Sequence, residues 1–387
     1  MRVLFTSTPG AGHLGPLVPF ATAVRRAGHE ALVAAPISAQ ARVERAGLPF
    51  ISFADPPEHE LEPLWARVRE IGPEAANDLV LSELFGRVRA RAALPGIELA
   101  IDAWRPDVVV RETCEFAGAV AAETRGLPHA RVGIGLAQTE ALALGVAAPQ
   151  LDELRRSAGL DSDPGAERLA AAPYLTLTPP SLEAPGAPGP ARALRFHAAP
   201  PPLRAVPDPR AAPLVYMSFG SVAPTMGFFP GLYRAVIDAV ADLPIRLLVT
   251  VGEAADPAEL GPLPAGVRVE RWIPQADVFT QAAATIGHGG FGTTHGALLA
   301  AVPQVVMPLF ADQPFNARRI GELGAGLVAE AQDPASVRAA LALVLEEPAF
   351  RLAAGRVALE AQGLPSIDAA PAALRALASG ARERRAA

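Results

Sequence analysis

Lysine is absent from this sequence, and cysteine occurs once, as Cys114. A single thiol excludes an internal disulfide and any cysteine-built metal cluster. With no lysine, all 34 basic residues are arginine. That reads as the codon habit of a GC-rich genome and carries no weight for chemistry. No basic block is present and the net charge is −6, which argues against a nucleic-acid partner. No apolar run approaches the roughly 20 residues that cross a bilayer. The N-terminus opens directly on a strand-like segment, so no signal peptide is expected. We therefore expect a cytoplasmic protein with no membrane partner.

What is present suffices for two cores. At 387 residues the chain is long for one hydrophobic core and comfortable for two domains. Half the residues are hydrophobic. Proline and glycine, 40 and 34 residues, stay below the level that signals disorder.

The N-terminal half reads as alternating strands and helices. Strands are expected at 2–6, 31–35, 50–53, 108–110 and 129–132. Helices are expected at 16–27, 63–70, 75–93, 96–104 and 117–125. The first strand, helix and second strand form a βαβ unit, which implies a parallel sheet. Between the first strand and its helix lies a Gly-flanked loop, Thr8-Pro9-Gly10-Ala11-Gly12-His13. Open parallel sheets bind ligands at that edge, which singles out His13. His59 is expected in a loop, and His129 and His197 have no partner that the sequence identifies. Acids at Glu112 and Glu115 follow the fourth strand, where they could cap the next helix.

From 179 to 213 the chain is dense in Pro, Ala and Gly. Pro200-Pro201-Pro202 and Pro207-Asp208-Pro209 should be stiff and extended. The expected division is an N-terminal domain over 1–198, a Pro-rich linker over 199–213, a second domain over 214–365, and a last helix over 366–387. The second domain again alternates strand and helix. Its strand 214–219 runs into Gly220-Ser221. A later apolar strand ends at Ile286 and is followed by Gly287-His288-Gly289-Gly290-Phe291-Gly292-Thr293-Thr294. Glycines let backbone approach a ligand closely, and a helix opening there offers free N–H groups and a positive dipole end to a phosphate.

Three polar clusters in one order sharpen this reading: Trp272-x-x-Gln275, His288-x-Gly290 and Asp312-Gln313. Together they resemble the donor-sugar signature of glycosyltransferase family 1, enzymes of the GT-B fold. The run His288 to Thr294 resembles that of the actinobacterial natural-product glycosyltransferases in particular. The resemblance extends to Gly12-His13-Leu14-Gly15-Pro16-Leu17 and so covers nearly the whole chain. It implies an α/β protein of two doubly wound, Rossmann-like domains facing a cleft, with the acceptor on the first domain, the donor on the second, and the last helix crossing back to the first.

The resemblance also implies roles. His13 would be the catalytic base, because a sugar-acceptor hydroxyl is a weak nucleophile. Glu112 takes the position of the family's supporting Asp with one extra methylene, and Glu115 stands as its alternative. Ser221, His288, Gly290, Gly292 and Thr293 would hold the donor diphosphate. Trp272 would stack on the base, with Ile273 beside it and Gln275 at the ribose. Asp312 and Gln313 would bind hydroxyls of the transferred sugar, which are costly to desolvate unpaired. The acceptor pocket could be lined by Trp65, Phe85, Phe116 and Ile134, each equally readable as core.

The expected activity is an inverting transfer of a (deoxy)hexose from a nucleoside-diphosphate sugar to a hydroxyl of an apolar small molecule. Plant enzymes that use UDP-sugars carry a Glu where this chain has Gly296, so a dTDP-sugar is favoured over a UDP-sugar. No other cofactor is expected. Asp161-Ser162-Asp163 matches the Asp-x-Asp metal motif of the other glycosyltransferase fold, yet it sits in a loop with no preceding apolar strand; no metal is expected. A monomer and a homodimer remain equally open. The alternatives are a non-catalytic glycosyltransferase-like auxiliary or binding protein, a sugar epimerase, and a dehydrogenase. The last draws on Gly10, Gly12 and Gly15, which match the spacing of a dinucleotide loop, but the His inside that loop and the second-domain signature weigh against it.

Overall fold

The computed structural model describes residues 1–186, 190, 192–198, 210–330 and 332–386, with the side chains of 382–386 left aside. The proline runs expected to be stiff therefore lie outside the described residues. Two compact units emerge: Met1–Thr178 with Pro185–Ala199 and Leu364–Ala387, and Pro179–Ala184 with Pro200–Gly363.

The first unit is built on β1 (Arg2–Thr6), β2 (Glu30–Pro36), β3 (Phe50–Phe53), β4 (Val108–Glu112), β5 (His129–Val132), β6 (Tyr174–Thr176) and β7 (Ala193–Arg195). They run parallel in the order β3-β2-β1-β4-β5-β6-β7. The second unit holds β8 (Leu214–Ser218), β9 (Arg246–Thr250), β10 (Val267–Glu270), β11 (Ala282–Gly287), β12 (Gln304–Val306) and β13 (Gly326–Val328), parallel in the order β10-β9-β8-β11-β12-β13. Each is a doubly wound sheet, as the sequence leads one to expect, and each reverses strand order between its first and fourth strands. That reversal leaves a crevice at the carboxyl ends of those two strands.

Apolar β1 and β4, both buried along their centres, pack on the first helix (Ala11–Arg26) through Leu14, Leu17 and Phe20. The same core takes Ile367 from the turn before the last helix, and Ala370 and Leu374 from that helix, Ala370–Ala386.

Several expected elements differ. The first helix starts at Ala11, with Gly10 as its cap, and carries Pro16 and Pro19 inside. Proline favours the first helical position, which is why Pro16 reads as a start, but two lost hydrogen bonds do not stop a helix this well packed. The helices expected at 75–93 and 96–104 are one continuous rod: Pro73–Leu79, a π-helical stretch Val80–Arg89, and Ala90–Trp104. Pro95 and Gly96 do not break it. A Cβ on Gly96 would come within 2.5 Å of Phe53 Cβ, so this glycine serves close packing against β3. His59 lies in the helix Glu58–Glu70, not a loop.

Candidate active site

Both strand-order reversals carry the residues that the motifs single out. In the first unit the chain leaves β1 through Thr8 and enters the first helix, which places His13 in its opening turn rather than on a loop. The imidazole folds back over Gly10, where a Cβ would meet His13 Cδ2 at 2.7 Å. β4 is hydrogen-bonded next to β1 and ends at Glu112. There His13 Nδ1 lies 3.1 Å from Glu112 Oε1. Glu112 is fully buried and also accepts from Thr8 Oγ1 at 2.8 Å and from the Cys114 amide at 2.7 Å. Burial pushes its pKa up, but His13 and these donors outweigh that and hold it below the ordinary carboxylate value. A carboxylate only accepts, so Nδ1 carries the proton in the neutral ring and Nε2 is left free to take one. His13 keeps 21% of its side chain exposed.

Glu115, the other acid considered, is turned away. It accepts from the Gly118 amide at 3.1 Å and makes a very short bond with Thr6 Oγ1, capping the helix Ala117–Thr124. Burial pushes its pKa up to about 7, against its ordinary 4.5, despite the bonds from Thr6 and Gly118. The sign follows. Below pH 4.5 both folded and unfolded chains are protonated here. Between 4.5 and 7 only the unfolded chain ionises, so stability falls as pH rises and levels off above 7. Glu115→Gln should flatten this slope in urea midpoints taken from pH 5 to 8, and stabilise the chain at pH 8 by about 1–3 kcal/mol. Parallel curves for the two proteins would contradict this.

The remaining sequence assignments in this unit divide. Phe85 is buried and its ring centroid lies 5.2 Å from that of His13. Phe116 is almost wholly buried beneath the Arg111 guanidinium, while Trp65 and Ile134 are partly buried against the same cluster. His129 has a partner that the sequence did not reveal, Glu123, with Nε2 3.5 Å from its Oε1; Glu123 also binds Arg155. Asp163, in the loop that carries the Asp-x-Asp triplet, is buried and accepts from the Glu167 and Arg168 amides. Among the described residues, one set of atoms has metal-ligand composition, on His13, Glu112 and Cys114, all within 4.8 Å of one another. Its chemistry fits a metal poorly, because burial and the neighbouring Glu112 and Glu140 push the Cys114 thiol well up, and a protonated thiol is not a ligand.

In the second unit β8 and β11 end side by side, Ser218 beside Gly287. Past them come Gly220, at φ +76°, and His288. Cβ atoms on Gly220 or Gly290 would lie 2.7 and 2.3 Å from His288 Nε2. The imidazole therefore points Nε2 into a cradle that only glycine leaves open. Burial pushes the His288 pKa down to about 4; the Ser218 main chain pulls the other way, although its geometry falls short of a hydrogen bond to Nδ1, which has no partner. The ring is neutral at pH 7. Gly290 caps the helix Phe291–Leu299, whose opening N–H groups lack helical acceptors. A Cβ on Gly292 would meet nothing within 4 Å, and Ser221 is exposed.

Beside this cradle Gln275 donates to Tyr216 Oη at 3.1 Å and to Thr293 Oγ1 at 3.0 Å. Ile273 packs with the Tyr216–Phe279 cluster, whereas Trp272 is 57% exposed, a large ring with little to cover it. Asp312 caps the helix Gln313–Glu322. Its Oδ2 accepts from Asn316 at 2.9 Å, and Asn316 also donates to the Gly289 carbonyl at 2.8 Å. Asn316 thus ties the cradle to Asp312, a link the sequence motif did not single out. Gln313 is buried, and its Oε1 accepts from the Leu309 and Phe310 amides, leaving only its amide nitrogen to offer a sugar. His295 is buried and stacks on Phe291, centroids 5.3 Å apart. Gly296 abuts Phe279: a Cβ there would reach the ring at 2.8 Å, so no side chain fits at this position.

The chain matches the family model described as Erythromycin biosynthesis protein CIII-like, its N-terminal domain over residues 22–185 and its C-terminal domain over 234–376. It is 34% identical to the L-demethylnoviosyl transferase of Streptomyces niveus, across 93% of this chain and 94% of that one. The crystal structure of the glycosyltransferase SnogD from Streptomyces nogalater superimposes with a TM-score of 0.74 at 29% identity, covering 98% and 99% of the two chains. That of the glycosyltransferase VinC in complex with dTDP gives 0.73 at 26% identity, covering 98% and 100%. With two Rossmann-like units, a histidine at each strand reversal and these relatives, the chain belongs to the GT-B natural-product glycosyltransferases of actinobacterial antibiotic biosynthesis.

Proposed function

We propose that this enzyme transfers a (deoxy)hexose from a nucleoside-diphosphate sugar, dTDP-linked in preference to UDP-linked, to a hydroxyl of an apolar natural product, with inversion at the anomeric carbon. The first unit takes the acceptor and the second the donor. The observation that carries this reading is the 3.1 Å contact of His13 with buried Glu112, next to which an acceptor hydroxyl meets a free Nε2.

His13 Nε2 takes the hydroxyl proton as the oxygen attacks the anomeric carbon. Glu112 stabilises the imidazolium that forms. The bond from carbon to diphosphate oxygen breaks on the opposite face, and its electron pair leaves with the nucleotide. Charge on that leaving oxygen is met by His288 Nε2 and by the N–H groups around Gly290, Gly292 and Thr293, with Ser221 on the facing turn. Trp272 stacks on the base, Gln275 addresses the ribose, and Asp312 and Gln313 hold sugar hydroxyls. Gly296 supports the dTDP preference, since its contact with Phe279 leaves no room for a carboxylate directed at a ribose 2′-hydroxyl; the dTDP bound by VinC supports it independently. No helix among the described residues is long and apolar enough to cross a membrane, which accords with the cytoplasmic location we propose.

The test pairs dTDP-glucose and UDP-glucose with a panel of aromatic and macrocyclic alcohols, read by mass spectrometry, and adds dTDP and UDP to thermal melts. Product carrying one hexose, and a larger rise in Tm with dTDP than with UDP, are expected. If UDP stabilises more and UDP-glucose is the better donor, the donor assignment is wrong. If neither nucleotide binds and no product forms, the transfer reading falls.

A further inference from the structure

Asn316 lies in the first turn of the helix Gln313–Glu322, four residues after Asp312, and is almost wholly buried. Residues four apart share a helix face, and its side-chain nitrogen donates to Asp312 Oδ2 at 2.9 Å. The same nitrogen donates to the Gly289 carbonyl at 2.8 Å. Carboxylates and carbonyls only accept, so these two partners fix which end of the amide is nitrogen and use both of its N–H groups. Its Oδ1 is buried with no partner among the described residues. The amide is therefore held through its two donors alone.

Each bond reaches a different part of the proposed donor site. The Gly289 carbonyl belongs to the planar trans peptide that also carries the Gly290 N–H, and in such a unit the N–H points opposite to the C=O. Holding the carbonyl thus sets the direction of the Gly290 N–H, one of the donors proposed for the diphosphate. Gly289 itself, at φ +85°, is pressed against the start of the helix: a Cβ there would lie 3.0 Å from the Gln313 carbonyl oxygen. The second bond sets the plane of the Asp312 carboxylate, proposed for a sugar hydroxyl.

We propose that Asn316 is a positioning residue: one amide fixes the direction of the Gly290 N–H and the plane of the Asp312 carboxylate together, so that the second unit recognises diphosphate and sugar at one set spacing. It acts through Gly290 and Asp312. This rests on the second unit being the donor side. Removing the amide releases both groups at once, and a ligand that uses both loses more than a ligand that uses the first alone.

The test is calorimetric titration of the full chain with dTDP and with dTDP-glucose, or with UDP and UDP-glucose should these bind better. Asn316→Ala should weaken the nucleotide about threefold and the nucleotide sugar about thirtyfold, because a hydrogen bond from the sugar to a charged group is lost on top of a less well aimed phosphate donor. Asn316→Asp, of the same shape, should weaken both further than alanine does, since it sets an acceptor against two acceptors. Asn316→Ser keeps one donor, should lose less than alanine, and carries the comparison if Asn316→Ala melts below the assay temperature. A side chain that only supported the fold would lower Tm and leave the ratio of the two affinities where it was. An unchanged ratio, or native-like binding by Asn316→Asp, would overturn the assignment. Failure of the unaltered chain to bind any of the four ligands would overturn the donor reading itself, and the assignment with it.

Discussion

Replacing His13 by alanine should lower kcat by about 10²- to 10⁴-fold, the range of a positioned general base, while the Kd for dTDP changes little. His13 stands in the first unit and the proposed nucleotide residues in the second, so base removal and donor binding are separable. Glu112→Gln should be milder than His13→Ala. It keeps one oxygen, which can serve Thr8 and His13 on one side or the Cys114 amide on the other but not both, and it cannot stabilise an imidazolium as a carboxylate does. The double variant should be no worse than His13→Ala alone, because Glu112 is proposed to act through the imidazole. Steady-state kinetics with calorimetric dTDP binding would check all three. If His13→Ala retained more than about a tenth of kcat, the base would have to be sought elsewhere.

Glu140→Ala should destabilise the first unit by about 3–5 kcal/mol, the usual effect of stripping a partner from buried charge. Arg111 on β4 and Arg131 on β5 are register neighbours, both almost fully buried. Like charges on adjacent strands repel. Glu140, on the helix Ala137–Ser157, is the shared acceptor, 2.8 Å from Arg131 and 3.5 Å from Arg111. Arg111 also donates to the carbonyls of Glu112 and Thr113 at 2.9 and 2.7 Å, which fixes the turn that presents Glu112 to His13. The loss should therefore appear in activity before the protein unfolds. Two units need not unfold together, so the measurement should be urea unfolding in a Trp272→Phe background, where Trp65 and Trp104 report the first unit. Glu140→Gln, which keeps an acceptor, should lose less. A loss under about 1 kcal/mol for Glu140→Ala would mean that water or the backbone takes over the charge balance.

Much of this was legible in the chain because the signals were local. β1, β3 and β5 fall where apolar periodicity puts them, and the histidine–glycine turns lie at strand ends as glycine spacing requires. What was not legible depended on packing. Whether Glu112 or Glu115 faces His13 is decided by which acid ends the strand and which caps the helix, and both sit within one turn of sequence. Pro16 and the pair Pro95-Gly96 look like boundaries because local preference opposes helix there; tertiary contacts with Leu17 and Phe53 override it. Gln313 looks like a free sugar ligand until the loop it braces is seen. Two arginines at matching places in strands whose other interior residues are valine and alanine do hint at a buried partner, but no spacing rule names Glu140.

The first unit's core closes only when Ile367, Ala370 and Leu374 join Leu14 and Leu17, and the whole of the second unit is synthesised between them. During translation the second unit can fold as soon as it emerges, whereas the helix bearing His13 must wait for its cover. The segment Pro179–Ala184 runs the opposite way: it precedes the second unit in sequence yet joins it, with Arg319 donating to the Ser181 and Leu182 carbonyls. Chimeras that exchange acceptor and donor halves between relatives therefore need more than one seam. A join at the Pro-rich stretch alone would give each half a foreign piece of core, while carrying 364–387 with the N-terminal half and 179–184 with the other keeps both cores native.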